Sequence, residues 1–240
     1  KDDAAGLAIA ERMNAQVRGM NVAIRNSNDG ISLAQTAEGA LSKVGDSLQR
    51  MRELAVQARN STNSDDDKDS LNKEFAELQK EITRVLGGTA FNGKKILGSD
   101  ATALTFQVGA NTSDDDVITV DTTDMTADST ITAVTGSTAK IDNSATSGAI
   151  ASVIDDIDTA IDTINNKRAT FGATQSRFDA VIANLQQSVE NQSAARSRIM
   201  DADFAQETAN MSRAQILQQA GNAMIAQANQ APQQVLSLLR

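Results

Sequence analysis

The chain has 240 residues, with 22 Lys and Arg against 31 Asp and Glu, one Pro, and no His, Cys, Trp or Tyr. A formal charge of −9 without clustered cations excludes a phosphate-binding surface, and the missing Cys excludes disulfide and thiol chemistry. The missing His removes the commonest general base and metal ligand, no carboxylate pair or Ser–Lys couple stands out, and no run of about 18 apolar residues is present to cross a membrane, so the composition points to a non-enzymatic protein without cofactor, metal, nucleic-acid or membrane partner.

The first predicted helix runs from about Ala4 to Arg59. Ile9, Met13, Val17, Met20, Ile24, Ile31, Ala34, Leu41, Val44, Leu48, Met51, Ala55 and Ala58 recur at spacings of mostly three, four and seven. Ser27 replaces a hydrophobe for one turn without breaking the phase, because Ile31 returns in register. At about 1.5 Å per residue the segment measures roughly 84 Å, so it is expected to be a rod whose greasy side needs partners. Gly6, Gly19, Gly30, Gly39 and Gly45 each cost about 1 kcal/mol in a free helix, which is expected to be compensated by crowding of neighbouring helices against the backbone.

Asn60 to Ser64 is a polar break, and Asp65, Asp66, Asp67 and Asp69 load the start of a second helix with negative charge. The alternating ligands and glycine of a calcium loop are absent there, and Asp114 to Asp116 read as a solvated loop. Leu71, Phe75, Leu78, Ile82 and Val85 form the second stripe, which Gly87-Gly88 stops. From Phe91 the period changes: Asn92-Gly93 is a turn dipeptide, and Leu104 to Val108 and Val117 to Val120 read as a small β-hairpin. Residues from about Asp121 to Ser147 show little periodicity and are expected to form an exposed, loosely ordered connection.

A third long helix spans about Ala149 to Met200, with Ile150, Ile154, Ile157, Ile161, Ile164, Phe171, Phe178, Ile182, Leu185, Val189 and Ile199 along its seam. Arg168, Gln175, Gln192 and Arg196 occupy seam positions, a pattern that sets register at some cost in stability. After Asp201 comes a fourth helical stretch, with Phe204, Met211, Leu217, Met224, Ala228, Val235 and Leu238 expected along one side and Ile216, Ile225, Leu236 and Leu239 widening it. Apolar density at this end predicts an intermolecular seam. The fold class is therefore mainly α: an elongated antiparallel helical bundle or coiled-coil rod with a small β-hairpin region. Its expected divisions are a discontinuous rod domain (1–98 and 149–200), a hairpin with a short variable connection (99–148), and a C-terminal helix (201–240).

Several strings carry a family resemblance. Lys1 to Leu7, Arg25 to Ser32, Leu48 to Gln57 and Phe91-Asn92-Gly93 resemble the N-terminal half of bacterial flagellin; Ser193 to Ile199, Met211 to Gly221 and Gln234 to Arg240 resemble its C-terminal half. The resemblance implies an extracellular subunit, exported unfolded by a flagellar type III apparatus, that polymerises into the flagellar filament for motility. It further implies that residues from about Ala202 to Arg240 line a central channel and are held by a dedicated export chaperone beforehand, with Ile216, Leu217, Met224, Ile225, Val235, Leu236, Leu238 and Leu239 as polymerisation and chaperone contacts. Family chains begin some way before the Lys-Asp-Asp-Ala-Ala-Gly string, and that earlier segment is expected to hold the export signal and the channel-lining partner. The short middle leaves room for little beyond a hairpin, implying a thin filament.

The family is also recognised by Toll-like receptor 5, and the matching positions are Gln49, Arg50, Leu54, Gln57 and Glu74. Leu54 lies off the main stripe, so it is expected to stay exposed and to anchor that interface beside Arg50. The alternatives are a hook–filament junction protein, which shares the terminal helices, and a flagellin-like cell-surface binding protein, for which a glycan platform of Trp or Tyr is missing.

Overall fold

A computed structural model describes residues 4–201 and 203–238, with side chains as far as residue 228 apart from Ala202. The elements are α1 (Ala4–Ala58), α2 (Asp65–Gly88), β1 (Ala90–Phe91), β2 (Lys94–Lys95), β3 (Ala103–Gln107), β4 (Val117–Asp121), α3 (Ser129–Thr135), α4 (Ser147–Met200) and α5 (Phe204–Leu238). The chain divides into two compact units, residues 15–191 and residues 1–14 with 192–240.

In the first of these units the core is built on α1. Leu33, Ala34, Ala37, Leu41, Val44, Leu48, Met51, Leu54, Ala55 and Ala58 are buried there, joined by Phe75, Ile82 and Leu86 of α2 and by Ile150, Val153, Ile157, Ala160, Ile164, Phe171 and Phe178 of α4. The helices α1 and α4 run antiparallel. As α1 advances from Gly30 through Glu38 to Arg52, its partner on α4 retreats from Phe178 through Gln175 to Asp158. The polar seam positions take part in this register. Gln175 Nε2 donates to Glu38 Oε2 at 3.0 Å, and Arg168 Nη2 lies 3.9 Å from Glu38 Oε1. Ser27, fully buried, satisfies its hydroxyl within its own helix by donating to the Ala23 carbonyl at 2.8 Å, which explains how a polar residue sits in an apolar stripe.

The glycines of α1 separate into two kinds. A Cβ on Gly30 would stand 2.5 Å from Cζ of the buried Phe178 ring, and one on Gly19 would meet Ala110 Cβ at 3.0 Å. Gly39 has nothing within 4 Å, so crowding accounts for the first pair and not for every glycine. The Phe178 ring also packs edge-on against Phe106 of β3, with centroids 5.6 Å apart at 84°. Thus one aromatic side chain ties both long helices to the hairpin.

The start of α2 follows from its sequence. Ser64 Oγ accepts from the Asp67 amide at 3.2 Å while Asp67 Oδ2 accepts from the Ser64 amide at 3.0 Å, a reciprocal cap. The strands pair antiparallel as β1 with β2 and β3 with β4, the latter in the register Phe106 to Ile118. Between β1 and β2, Asn92 and Gly93 both take positive φ, 48° and 79°, the conformation a two-residue hairpin turn demands. Asp114–Asp116 form a single 3-10 turn whose last carboxylate accepts from the Ser113 amide and hydroxyl, in place of the expected plain loop.

The stretch from Asp121 to Ser147 corrects the expectation of a loose, exposed connection. Met125, Ile131, Val134, Ala139 and Ile141 are buried in the same core, and α3 begins at an Asp128 cap. Irregular backbone can be held this way only if its polar groups find partners, and the side of α2 that carries Asp69, Asn72 and Gln79 supplies them. Asn72 Oδ1 accepts from the Ile141 amide at 3.1 Å, Asp69 Oδ1 accepts from the Asn143 amide at 3.0 Å, and Gln79 Nε2 donates to the carbonyls of Val134 at 2.8 Å and Ala139 at 3.0 Å. A second correction concerns Leu54, which is 1% exposed, and a third concerns α4, whose Ile199 is 40% exposed despite its predicted seam position.

In the other unit, Arg196 Nη1 donates to Asn14 Oδ1 at 2.9 Å, and every described side chain of α5 is exposed. Its apolar residues do not share one side. Six residues separate Met211 from Leu217, a rotation of about 240° on an α-helix, and nine separate Ile216 from Ile225, which places those two about 180° apart.

Two outcomes are expected. Gly30→Ala forces its methyl against an immobile ring and lowers unfolding stability by about 1–3 kcal/mol, whereas Gly39→Ala, entering open space, raises it by about 0.5–1 kcal/mol; denaturant midpoints measure both. The second concerns acid. Hydrogen bonds from the hydroxyls of Ser64, Ser113, Thr130 and Ser144 hold Asp67, Asp116, Asp128 and Asp142 below the usual carboxylate range. The folded state therefore binds fewer protons than the unfolded one, so this stabilisation is complete above about pH 5 and fades as pH falls through and below about 4. Thermal melts from neutral to acidic pH are expected to show that loss, with a shallower slope in the Asp67→Asn variant.

Candidate functional site

Two surfaces gather the residues singled out in the sequence. The first lies on α1 and α2. Arg50 reaches both helices: its Nε donates to Glu74 Oε1 at 2.7 Å and its Nη1 to Glu53 Oε2 at 2.8 Å. These two carboxylates, Glu74 foremost, raise the guanidinium pKa above its usual value. The Arg50 and Glu74 side chains remain about half exposed, so solvent screens the pair, which adds little to folding and stays available to a partner. Two residues on, Arg52 turns the other way and forks onto Asp158 of α4, with Nε at 2.6 Å from Oδ1 and Nη2 at 3.1 Å from Oδ2.

Gln49, Arg50, Gln57 and Glu74 are all exposed, whereas Leu54 faces inward among Leu48, Met51, Ala55 and Ala58. The exposed apolar residue on this side is instead Val56, at 51% exposure, and it lines a shallow surface groove with Gln49, Arg52, Glu53 and Gln57. The signal for this was present in the sequence: Leu54 sits three residues after Met51 and four before Ala58, in phase with the core, and Val56, about 200° further round the helix, is out of phase.

The second surface is α5. Phe204 is 87% exposed and Met224 70%, with Met211, Ile216, Leu217 and Ile225 between 56% and 65%. Phe204 and Met211 flank Glu207 and Thr208 in a shallow, mostly apolar groove. The side chains of Val235, Leu236 and Leu238, and the whole of Leu239, lie outside the described residues. A helix carrying hydrophobes on all its sides is a helix that becomes enclosed by neighbours.

Among the described residues no cluster of His, Cys, Asp and Glu could hold a metal, and no helix is long and apolar enough to cross a membrane. The fold and its two surfaces thus define a class, a mainly α-helical protein whose candidate interaction surfaces are helix faces. Profiles of the bacterial flagellin N-terminal helical region and C-terminal helical region match residues 1–102 and 154–239. The chain belongs to the flagellin family, a structural family of the extracellular flagellar filament and not an enzyme family. It is 47% identical to a flagellin of Halalkalibacterium halodurans over 239 residues, covering 100% of this chain and 85% of that one. It is 43% identical to a flagellin of Bacillus subtilis, covering 100% and 87%. Among solved structures, a Bacillus cereus flagellin is similar at a TM-score of 0.58 and 33% identity, covering 72% of this chain and 94% of that one.

Leu54→Ala is expected to cost about 2–5 kcal/mol, as for other buried leucines, while Val56→Ala changes stability by less than about 0.5 kcal/mol. Urea denaturation of the two variants checks which residue is core.

Proposed function

We propose that this chain is a filament subunit of the bacterial flagellum that self-associates through α5, with Ile216, Leu217, Met224, Ile225, Val235, Leu236, Leu238 and Leu239 as its contacts. The observation that carries this reading is the exposure of every described side chain of a 35-residue helix that bears large hydrophobes on all its sides. Water around so much apolar surface is released when other helices cover it, and this is the driving force for assembly. The same property makes residues 202–240 the segment a dedicated export chaperone holds before assembly, since it shields the same hydrophobes.

The outer face of α1 and α2 serves as a ligand surface for Toll-like receptor 5, with Gln49, Arg50, Gln57 and Glu74 as direct contacts. Leu54 shapes that face from beneath. An Arg already oriented by two carboxylates loses little side-chain freedom on binding, which favours it as an anchor.

Deleting residues 202–240 is expected to abolish both filaments in electron micrographs and capture by the chaperone, while far-UV circular dichroism retains the helices of residues 15–191; persistent filaments would refute the assignment of α5. Arg50→Ala is expected to weaken receptor signalling roughly tenfold, the loss of one interface anchor, without altering the melting curve. Undiminished signalling would remove the receptor assignment.

A further inference from the structure

The chain has 7 Met and no Cys, Trp, Tyr or His, so thioethers are its only side chains readily oxidised by peroxide. Burial sorts six of them sharply, and the seventh, Met13, is intermediate. Met20, Met51 and Met125 are 6%, 0% and 1% exposed, whereas Met200, Met211 and Met224 are 50%, 56% and 70% exposed. All three exposed thioethers fall within residues 192–240, and two stand on α5 itself.

We propose that Met211 and Met224 are oxidation sites through which peroxide blocks the association of α5, reversibly by way of their sulfoxides. The inference rests on the reading of α5 as the self-association helix. In the reaction the Sδ lone pair attacks one oxygen of hydrogen peroxide. The S–O bond forms as the O–O bond breaks, sulfur loses two electrons, and the proton on the attacked oxygen passes to the second oxygen, which leaves as water. The product is a polar, chiral sulfoxide in place of a flexible apolar side chain. Burying that S=O group in a helix seam without a hydrogen-bond donor is unfavourable, so oxidised subunits associate poorly. Met211 and Met224 are separated by 13 residues, a rotation of about 220°, so their oxidation spoils two different sides of the helix. Burial of the same sulfur atoms in an assembly protects them, so oxidation acts on free subunits more than on assembled ones.

The test treats the full chain with hydrogen peroxide and maps sulfoxides by peptide mass spectrometry, before and after self-association. Met200, Met211 and Met224 are expected to oxidise well ahead of Met20, Met51 and Met125, and Met211 and Met224 are expected to become protected after assembly. The critical concentration for association is expected to rise at least tenfold on oxidation, with helix content unchanged, and to return after treatment with methionine sulfoxide reductases. In the Met211→Leu/Met224→Leu variant the ratio of critical concentrations with and without peroxide is expected to fall to about one, whatever the variant's own association strength. Equal oxidation of all the methionines, or an unchanged critical concentration in oxidised protein, overturns the proposal. Untreated protein that stays monomeric refutes the assembly reading and the block with it, while the order of oxidation is judged from the mapping alone.

Discussion

The contact between α1 and α4 is the constraint on which the unit of residues 15–191 depends. Neither helix can hide its own stripe, and their union fixes a single register because it is not uniform along its length. At one point the α1 backbone opens at Gly30 to admit the Phe178 ring. Further on, Glu38 meets Gln175 and Arg168, and beyond that Arg52 forks onto Asp158. A slip by one heptad would set the Phe178 ring against an alanine side chain, Ala23 or Ala37, in place of Gly30 and would part Arg52 from Asp158. The hydrophobic seam supplies most of the energy, and these polar and steric keys select which of its near-equivalent alignments is occupied.

Smaller elements are then added to that pair through specific groups. The β3–β4 hairpin is held through Phe106 on the Phe178 ring and through Asn26, whose Nδ2 donates to the Gln107 carbonyl at 2.9 Å. The segment after β4 is held through Asp69, Asn72 and Gln79, side chains on the polar side of α2 that take over the hydrogen bonds a regular ladder would otherwise make. Polar residues on α2 therefore do structural duty for a neighbour whose backbone, outside α3, is irregular.

The long helices, the Ser64 cap, the Asn92-Gly93 turn and the hairpin were legible because each rests on a local rule, periodicity for the helices and turn or capping chemistry for the rest. What local rules could not show is what lies opposite a residue. The Asp121 to Ser147 stretch has no period because its hydrophobes enter the core singly, and its order depends on α2 side chains distant in sequence. Leu54 lies beside Ala55, off the single-file stripe, yet it is buried because a helix flanked by two neighbours buries a broader arc. On α5 the dense hydrophobes were evident, but their distribution around the helix emerges only when the heptad-like spacing is followed turn by turn. Of the receptor positions, four are placed on the surface and one inside it.

The two units therefore obey opposite rules: in residues 15–191 the apolar stripes find each other within the chain, and in α5 they do not. Hydrogen–deuterium exchange of the dissolved subunit and of its assembled form tests this contrast most directly. The account predicts that amides at the buried stripe of α1 and α4 are already strongly protected in the dissolved subunit, while those of α5 exchange quickly and gain protection only on assembly. Strong protection of α5 in the dissolved subunit, or no gain on assembly, would contradict it.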